Sequence, residues 1–155
     1  MKEVERITDQ LQRAFEGHAW HGPSVREVLS GITAEQAAKR IIPAAHTIWE
    51  ITLHIAAWKS IVRRRIAGEP SHEIPPEEDW PAVGAATETA WNRTLQELEL
   101  EHKSLRNSLE GLTDERLSEI PKGAAPSLYV FLHGVVQHDI YHAGQIALLK
   151  KAITS

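Results

Sequence analysis

The sequence has 155 residues, enough for one domain with its own core, and 42% hydrophobic with 25% charged residues is typical of globular proteins rather than disordered ones. A formal net charge of −4 argues against a nucleic-acid-binding surface. No apolar run approaches the roughly 20 residues that span a bilayer, and the charged amino terminus is unlike a signal peptide. We therefore expect one cytoplasmic domain over residues 1–155, with neither nucleic-acid nor membrane partners.

Hydrophobic periodicity predicts helices and gives no convincing strand. The first helix is predicted to end around Gly17. Its apolar residues follow the 3-4-4 spacing of one helical face: Val4, Ile7, Leu11 and Phe15. Two short helical turns are predicted next, because a capping box opens each of them, one at Ser24–Glu27 and one at Thr33–Gln36. Pro43 ends this region.

A third capping box, Thr47–Glu50, predicts a long second helix that runs to about Ala67 and stops at Gly68. Near its end lie three arginines, residues 63–65, which we expect to be solvated and to complement the helix dipole rather than to form a binding patch. The proline-rich stretch 69–86 is predicted to be a long irregular connection, and connections of that length often have a function.

The carboxyl-terminal half predicts two further long helices. One covers about 87–110, and the other begins after a cap at Ser127 and reaches about Lys151. Between them we expect a short turn from Thr113 and a loop over 121–126. The fold class is thus all-α, a four-helix bundle with extra helical turns between helices 1 and 2 and a long loop between helices 2 and 3.

Histidines interrupt the apolar faces of two of these helices. On the last helix the inward positions are spaced 3-4-3-4-3-4: Leu128, Phe131, Val135, His138, His142, Gln145 and Leu149. On the second helix they are spaced 3-4-3: Ile51, His54, Trp58 and Ile61. The sequence therefore predicts that His54, His138 and His142 face one interior.

Three buried imidazoles without partners would each cost about 1–3 kcal/mol, and a shared metal ion would supply the missing partner. Two residues at i and i+4 of a helix, such as His138 and His142, lie close enough to bind one ion. The pattern is not the H-E-x-x-H metalloprotease motif, because Asp139 and Ile140 occupy its middle positions. The alternative is that neighbouring groups satisfy these histidines as structural residues; the paired spacing plus a third histidine favours metal.

Other polar residues are weaker candidates. His102 lies on the apolar face of the third helix, so periodicity permits it as a fourth ligand. Glu50 could orient His54, although its place in the capping box already explains it. Gln145 and Tyr141 are candidate helpers that could contact a metal-bound ligand, with packing as the plain alternative. Trp80, in the long loop, could cover the mouth of a pocket.

Two segments of the chain carry a family resemblance: H-T-I-W-E-I-T-L-H-I-A-A-W over residues 46–58 and H-G-V-V-Q-H-D-I-Y-H-A-G-Q-I over residues 133–146. They resemble the DinB-like, damage-inducible family of bacterial four-helix-bundle metalloproteins. P-S-V-R-E-V-L-S-G-I-T-A-E-Q-A-A, residues 23–38, is similar to the segment that follows the first helix in that family. The resemblance implies a divalent ion held by three histidines, matching His54, His138 and His142, with open positions for water or substrate, and often a homodimer.

The resemblance also implies an activity class, since family members are described as metal-dependent hydrolase-like proteins or as transferases that use low-molecular-weight thiols such as bacillithiol or mycothiol. We expect a small-molecule substrate, and because the chain has no cysteine any thiol must be exogenous. Imidazole ligands suit several ions, and we expect Zn²⁺ first and Ni²⁺ second, with Fe²⁺ or Cu²⁺ as further candidates. The alternatives are a non-catalytic, stress-induced metal-binding bundle and a metal-free bundle with structural histidines.

Overall fold

The computed structural model describes residues 1–123 and 126–154, and within these ranges the chain is all-helical and has no strand. In chain order the helices are α1 (Glu3–Glu16), α2 (Val25–Leu29), α3 (Ala34–Ala38), α4 (Ile48–Ile66), α5 (Pro76–Asp79), α6 (Glu88–Leu109) and α7 (Leu128–Thr154), with a 3₁₀ turn at Asp114–Ser118 between the last two. The predicted all-α bundle of four long helices is confirmed. None of the described helices combines the length and the apolar character that crossing a bilayer requires.

Local capping explains where most of these helices begin. The side chains of Ser24, Thr33 and Thr47 each accept a hydrogen bond from the backbone N–H three residues later, as the predicted capping boxes require. The start of α1 is held differently. The carboxylate of Asp114 accepts from the backbone N–H of Glu3 at 2.9 Å and of Val4 at 3.0 Å, so a residue far along the chain caps this helix.

Three details differ from the prediction. The connection 69–86 is not wholly irregular, because it contains the short helix α5. The last helix runs to Thr154, three residues beyond the predicted end. The expectation of solvated arginines is wrong for Arg65, which is buried and donates to the backbone oxygen of Pro70 at 2.6 Å. Within the predicted loop 121–126, Ala124 and Ala125 lie outside the described residues.

The four long helices enclose a core that is divided into two parts. α4 packs against both α6 and α7, and α1 packs against α7 and α6. One apolar cluster surrounds Trp49 and Trp91, and the other surrounds Leu11 and Leu105. Each of α4, α6 and α7 contributes residues to both clusters, and on each helix one buried polar residue separates the two sets. These residues are Lys59, His102 and Asp139, and we call them the polar layer.

The polar layer is held together by an ion pair and an aromatic stack. Lys59 Nζ lies 2.6 Å from Asp139 Oδ2, and both side chains are fully buried. Burial lowers the pKa of Lys59 and raises that of Asp139, while their contact opposes both shifts. Lys59 Nζ also lies 4.7 Å from the centre of the Phe15 ring, on which His102 stacks at 3.9 Å. His102 Nε2 reaches Glu16 Oε1 at 3.2 Å.

Candidate metal centre

Three histidines from two helices meet at one point of the bundle. His54 comes from α4, and His138 and His142 come from successive turns of α7. The Nε2 atom of His138 lies 2.9 Å from Nε2 of His54 and 3.1 Å from Nε2 of His142. The potential ligand atoms of all three lie within 4.8 Å of one another. The structure thus brings together the three residues that the sequence selected, which we call the three-histidine centre.

The outer nitrogens of two of these rings fix their tautomers. His54 Nδ1 lies 2.5 Å from the backbone oxygen of Asp79, and His142 Nδ1 lies 2.7 Å from Oε1 of Gln145. A carbonyl oxygen only accepts, so each Nδ1 must carry the hydrogen and donate it. In the neutral ring the proton is then absent from Nε2. His54 and His142 therefore turn two lone pairs towards the same place, as metal-binding histidines do when their second nitrogen is held by a carbonyl group.

The donor set fits a divalent cation better than it fits a hydrogen-bonded cluster. His138 Nε2 can offer one hydrogen at most, so it cannot satisfy both lone pairs that face it. Its other nitrogen, Nδ1, is buried and has no hydrogen-bond partner among the described residues. Two ligands at the usual zinc–nitrogen distance and a tetrahedral angle are roughly 3.3 Å apart, close to the 2.9 Å and 3.1 Å that separate His138 Nε2 from its two neighbours.

The electrostatics of the centre keep its imidazoles neutral. Burial lowers the pKa of His138 to about 3, and the neighbouring His142, His54 and Lys59 add to the effect. Burial also lowers the pKa of His54 and of His142, although Asp79 opposes the shift at His54 and Gln145 opposes it at His142. Neutral imidazole is the form that binds a metal ion, so the ligands need not lose protons near pH 7.

The loop after α4 closes over His54. The indole of Trp80 stacks on the His54 ring, with centroids 3.8 Å apart and planes within 4°, and His46 stacks on the opposite face of Trp80 at 3.5 Å. Asp79 Oδ1 accepts from Trp58 Nε1 at 2.7 Å and lies 3.3 Å from His54 Nδ1. Helix periodicity gave no sign of Asp79. The expectation that Trp80 covers a site is consistent with its place against a candidate ligand.

The weaker sequence candidates have other partners. Glu50 closes the capping box, accepting from the backbone N–H of Thr47 at 2.7 Å, and it also pairs with Arg40. His54 Nδ1 is hydrogen-bonded to the backbone oxygen of Asp79 and not to Glu50. His102 is not in the group of three and belongs to the polar layer. Tyr141 is 65% exposed, with its ring centroid 5.1 Å from that of His142.

The predicted inward face of α7 needs a correction. Of its seven positions, Phe131, His138 and Gln145 are only partly buried, while the intervening Leu132 and Asp139 are fully buried. The reason is that α7 contacts α4 as well as α1 and α2, so its buried face is wider than one stripe. The three-histidine centre lies towards one edge of that face, and the polar layer lies at its middle.

Fold and site together define a helical bundle whose interior could hold a divalent metal ion between three histidines. Residues 18–146 match the family model of the DinB superfamily, and the chain belongs to that superfamily. A similar solved structure is the crystal structure of a conserved protein from Enterococcus faecalis, which is 17% identical with a TM-score of 0.72 over 99% of this chain and 98% of that one. At this identity the likeness shows the fold alone. The comparison with curated proteins gives no match.

Proposed function

We propose that the chain binds one divalent ion through His54, His138 and His142 and acts as a metal-dependent enzyme, either a hydrolase or a transferase that uses a low-molecular-weight thiol. The proposal is supported by the convergence of three Nε2 atoms. Those of His54 and His142 present lone pairs to Nε2 of His138, which can satisfy only one of them. Zn²⁺ is the ion we expect first, then Ni²⁺, with Fe²⁺ as a further candidate.

Three neutral imidazole ligands leave a divalent ion with an open position, where it can polarise a carbonyl group or lower the pKa of a bound water or thiol. The chain's own residues prepare that position. Asp79 and Gln145 hold His54 and His142 in the tautomer that presents Nε2, and Trp80 shields one face of His54 from water. Because the chain has no cysteine, a thiol reactant would come from the small-molecule pool of the cytoplasm, where we expect the chain to reside.

One observation favours the alternative, a non-catalytic metal-binding bundle. Asp79 is the carboxylate found beside the centre, and the indole of Trp58 already occupies the Oδ1 atom that lies near His54. It is therefore poorly placed to serve as a general acid or base. Under this alternative the same three histidines hold the ion, and the bundle serves binding or interaction during stress.

Elemental analysis tests metal binding. The chain, expressed without a histidine tag, should retain about one divalent ion, and His138→Ala should lose it. His133→Ala is the matched control, because His133 lies on the same helix, outside the group of three, and pairs with Glu3. Metal far below one ion per chain in the wild type would leave the three histidines as structural residues.

A substrate screen separates the enzyme from the binding protein. Zinc-loaded wild type and His138→Ala should be compared on thiol-plus-electrophile pairs and on ester and amide substrates. Turnover by the wild type that His138→Ala loses supports the enzyme. A metal-loaded wild type that turns over none of these substrates favours the non-catalytic alternative.

We also propose that two copies of the chain associate through the outward face of α7. This face carries exposed apolar side chains, Ile140 at 37%, Tyr141 at 65% and Leu148 at 71% exposure. Between Leu128 and Leu149 the sequence of α7 has one charged residue, Asp139, and that residue is buried. An apolar face without charge is self-complementary, as an interface between identical chains about a two-fold axis must be.

Sedimentation of Leu148→Arg tests the association. A charge on this face should convert the wild-type dimer into a monomer. Leu100→Arg is the control, since Leu100 is 62% exposed on α6 and should leave the dimer intact. A monomeric wild type, or equal behaviour of the two variants, would contradict an interface on α7.

A further inference from the structure

We propose that an apolar cleft beside His138 binds the hydrocarbon part of a small-molecule substrate, an inference that rests on the proposed function. The cleft lies between α4 and α7 and has a volume of about 260 Å³. It is lined by Trp58, Val62, Val130, Phe131, Gly134, Val135 and His138. We call it the apolar cleft. The substrate class is then an amphipathic molecule, with a polar reacting group at the three-histidine centre and an alkyl or aryl group in the cleft.

The wall of the cleft offers hydrocarbon and hardly any hydrogen-bonding capacity. Trp58 has a single polar atom, Nε1, and that atom donates to Asp79, so the indole presents its ring carbons to the cleft. The remaining side chains that line it are valines and a phenylalanine, apart from His138. A polar or charged group placed here would lose its hydration without gaining partners, and so the cleft selects apolar groups.

His138 joins the cleft to the three-histidine centre. Its Nε2 atom faces His54 and His142, while the same residue lines the cleft. The ring centroids of His138 and Trp58 are 5.9 Å apart, so the cleft begins within one side chain of the converging nitrogens. Asp79 ties the two sites further, because it contacts both Trp58 and His54.

The size of the cleft limits its occupant. An apolar cavity of about 150 Å³ in another protein holds benzene, and drug-sized ligands occupy about 300–1,000 Å³. A volume of about 260 Å³ therefore suits a substituted benzene ring or a short alkyl chain rather than a long acyl chain. Val130, at the rim, is 51% exposed, and this places the entrance to the cleft at the protein surface.

Gly134 keeps part of the cleft open. It lies inside α7, and apart from its chain neighbours and the nearby backbone of α7 itself, a Cβ atom built on it would meet nothing within 4 Å. A side chain can therefore start from this position, and we expect a leucine here to extend into the cleft. It should also strengthen the helix, because glycine is a poor helix former. Thermal unfolding of Gly134→Leu separates a loss of ligand binding from a loss of folding.

The first experiment uses metal-free protein and toluene, so that it does not depend on metal binding. Toluene should cause saturable NMR shifts at the Trp58 indole and the Gly134 amide of the wild type. Gly134→Leu should weaken binding by at least about tenfold, and Gly134→Ala by less. Gly144→Leu is the control, since it adds the same side chain to the same helix outside the cleft; sedimentation must show that it keeps the association state of the wild type, because Gly144 lies between Ile140 and Leu148.

The second experiment links the cleft to the three-histidine centre. Zinc-loaded protein is titrated with hydroxamic acids whose alkyl chains increase from methyl to pentyl. Each added methylene should tighten binding about fourfold until the cleft is full, and Gly134→Leu should flatten the series. A series that is flat in the wild type would overturn the assignment of the cleft to the substrate of this centre.

Further outcomes overturn the inference or separate it from the proposed function. No saturable toluene shift in the wild type, or equal binding by Gly134→Leu, means that the cleft does not bind apolar groups. If the wild type binds no toluene and Gly134→Leu sediments differently from the wild type, the cleft is a surface for a second copy of the chain. A zinc content far below one ion per chain would contradict the proposed function but not the cleft, because the toluene experiment measures binding in the cleft without metal.

Discussion

The three-histidine centre and the polar layer both place polar groups inside an apolar bundle, and the two are balanced differently. In the polar layer, Lys59 and Asp139 carry opposite charges and contact each other at 2.6 Å. In the three-histidine centre, the Nε2 atoms of His54 and His142 both contact Nε2 of His138. The two charges of the layer thus balance each other, whereas the centre directs two lone pairs at one nitrogen that can satisfy only one of them.

The hydrogen-bond partners of a buried polar residue help to distinguish a structural role from a binding role. His102 is as buried as the candidate ligands, but its Nε2 reaches a carboxylate of Glu16, and its ring stacks on Phe15. His54 and His142 have carbonyl oxygens at their outer nitrogens, and their inner nitrogens both face Nε2 of His138. Burial alone does not identify a metal site. The direction of the unsatisfied lone pairs is what makes the three-histidine centre a candidate for one.

The largest expected effect comes from breaking the ion pair of the polar layer. Lys59→Met leaves Asp139 buried without its partner and should lower the free energy of unfolding by about 3–5 kcal/mol in urea denaturation. The double variant Lys59→Met/Asp139→Leu removes both charges and should regain most of the loss. A loss below about 1 kcal/mol in the single variant would show that this pair is not the balanced structural element we describe.

A smaller effect is expected when a residue that orients a candidate ligand is removed. Gln145→Leu deprives His142 Nδ1 of its acceptor and should weaken zinc binding by about 10–100-fold, as judged by competition with a chelator. Gln137→Leu, at an exposed position of the same helix, is the control and should bind zinc as the wild type does. Equal affinities for the two variants would mean that Gln145 does not position His142.

The smallest effect is the pH dependence of stability that His102 of the polar layer contributes. Burial, reinforced by Lys59, Arg106 and Arg26, lowers the pKa of His102 to about 2. Between the lowered pKa of the native chain and the ordinary pKa of the unfolded chain, His102 binds a proton only in the unfolded chain. The stability due to neutral His102 is therefore complete above about pH 6.5 and is lost as the pH falls, by up to about 1.4 kcal/mol per unit.

His102→Gln should remove this contribution from the metal-free protein. Between about pH 6 and pH 4 its free energy of unfolding should fall less steeply than that of the wild type, by about one proton. Above about pH 7.5 the two curves should run parallel, which provides the internal control. Identical slopes in the acidic range would mean that His102 takes up a proton in the native state.

Local signals in the sequence predicted much of this structure. Ser24, Thr33 and Thr47 announce helix starts because a capping box involves residues only three positions apart. The spacing of His138 and His142 on α7, and the inward position of His54 on α4, placed the three on facing helices. Their convergence also required the two helices to be neighbours at the right height, and this part rested on the family resemblance.

The remainder depends on contacts between distant parts of the chain. Asp79 and Trp80 reach His54 because the connection after α4 folds back on the bundle, and periodicity carries no information about such a loop. The pairing of Lys59 with Asp139 did leave a trace. Each is a single charge at helical spacing within apolar residues, Ile55 and Val62 around the lysine and Val136 and Ala143 around the aspartate. Opposite charges in two such places indicate a buried pair.

The cap that Asp114 provides for α1 has a consequence for biosynthesis. Helix α1 is made before the carboxylate that caps it and before α6 and α7, which pack against it. Until then α1, whose 14 residues are a marginal length for a helix in water, has α2 but neither α6 nor α7 to pack against. We therefore expect the bundle to close only after α7 has been synthesised, so that the nascent amino-terminal segment is the part most exposed to chaperones and proteases.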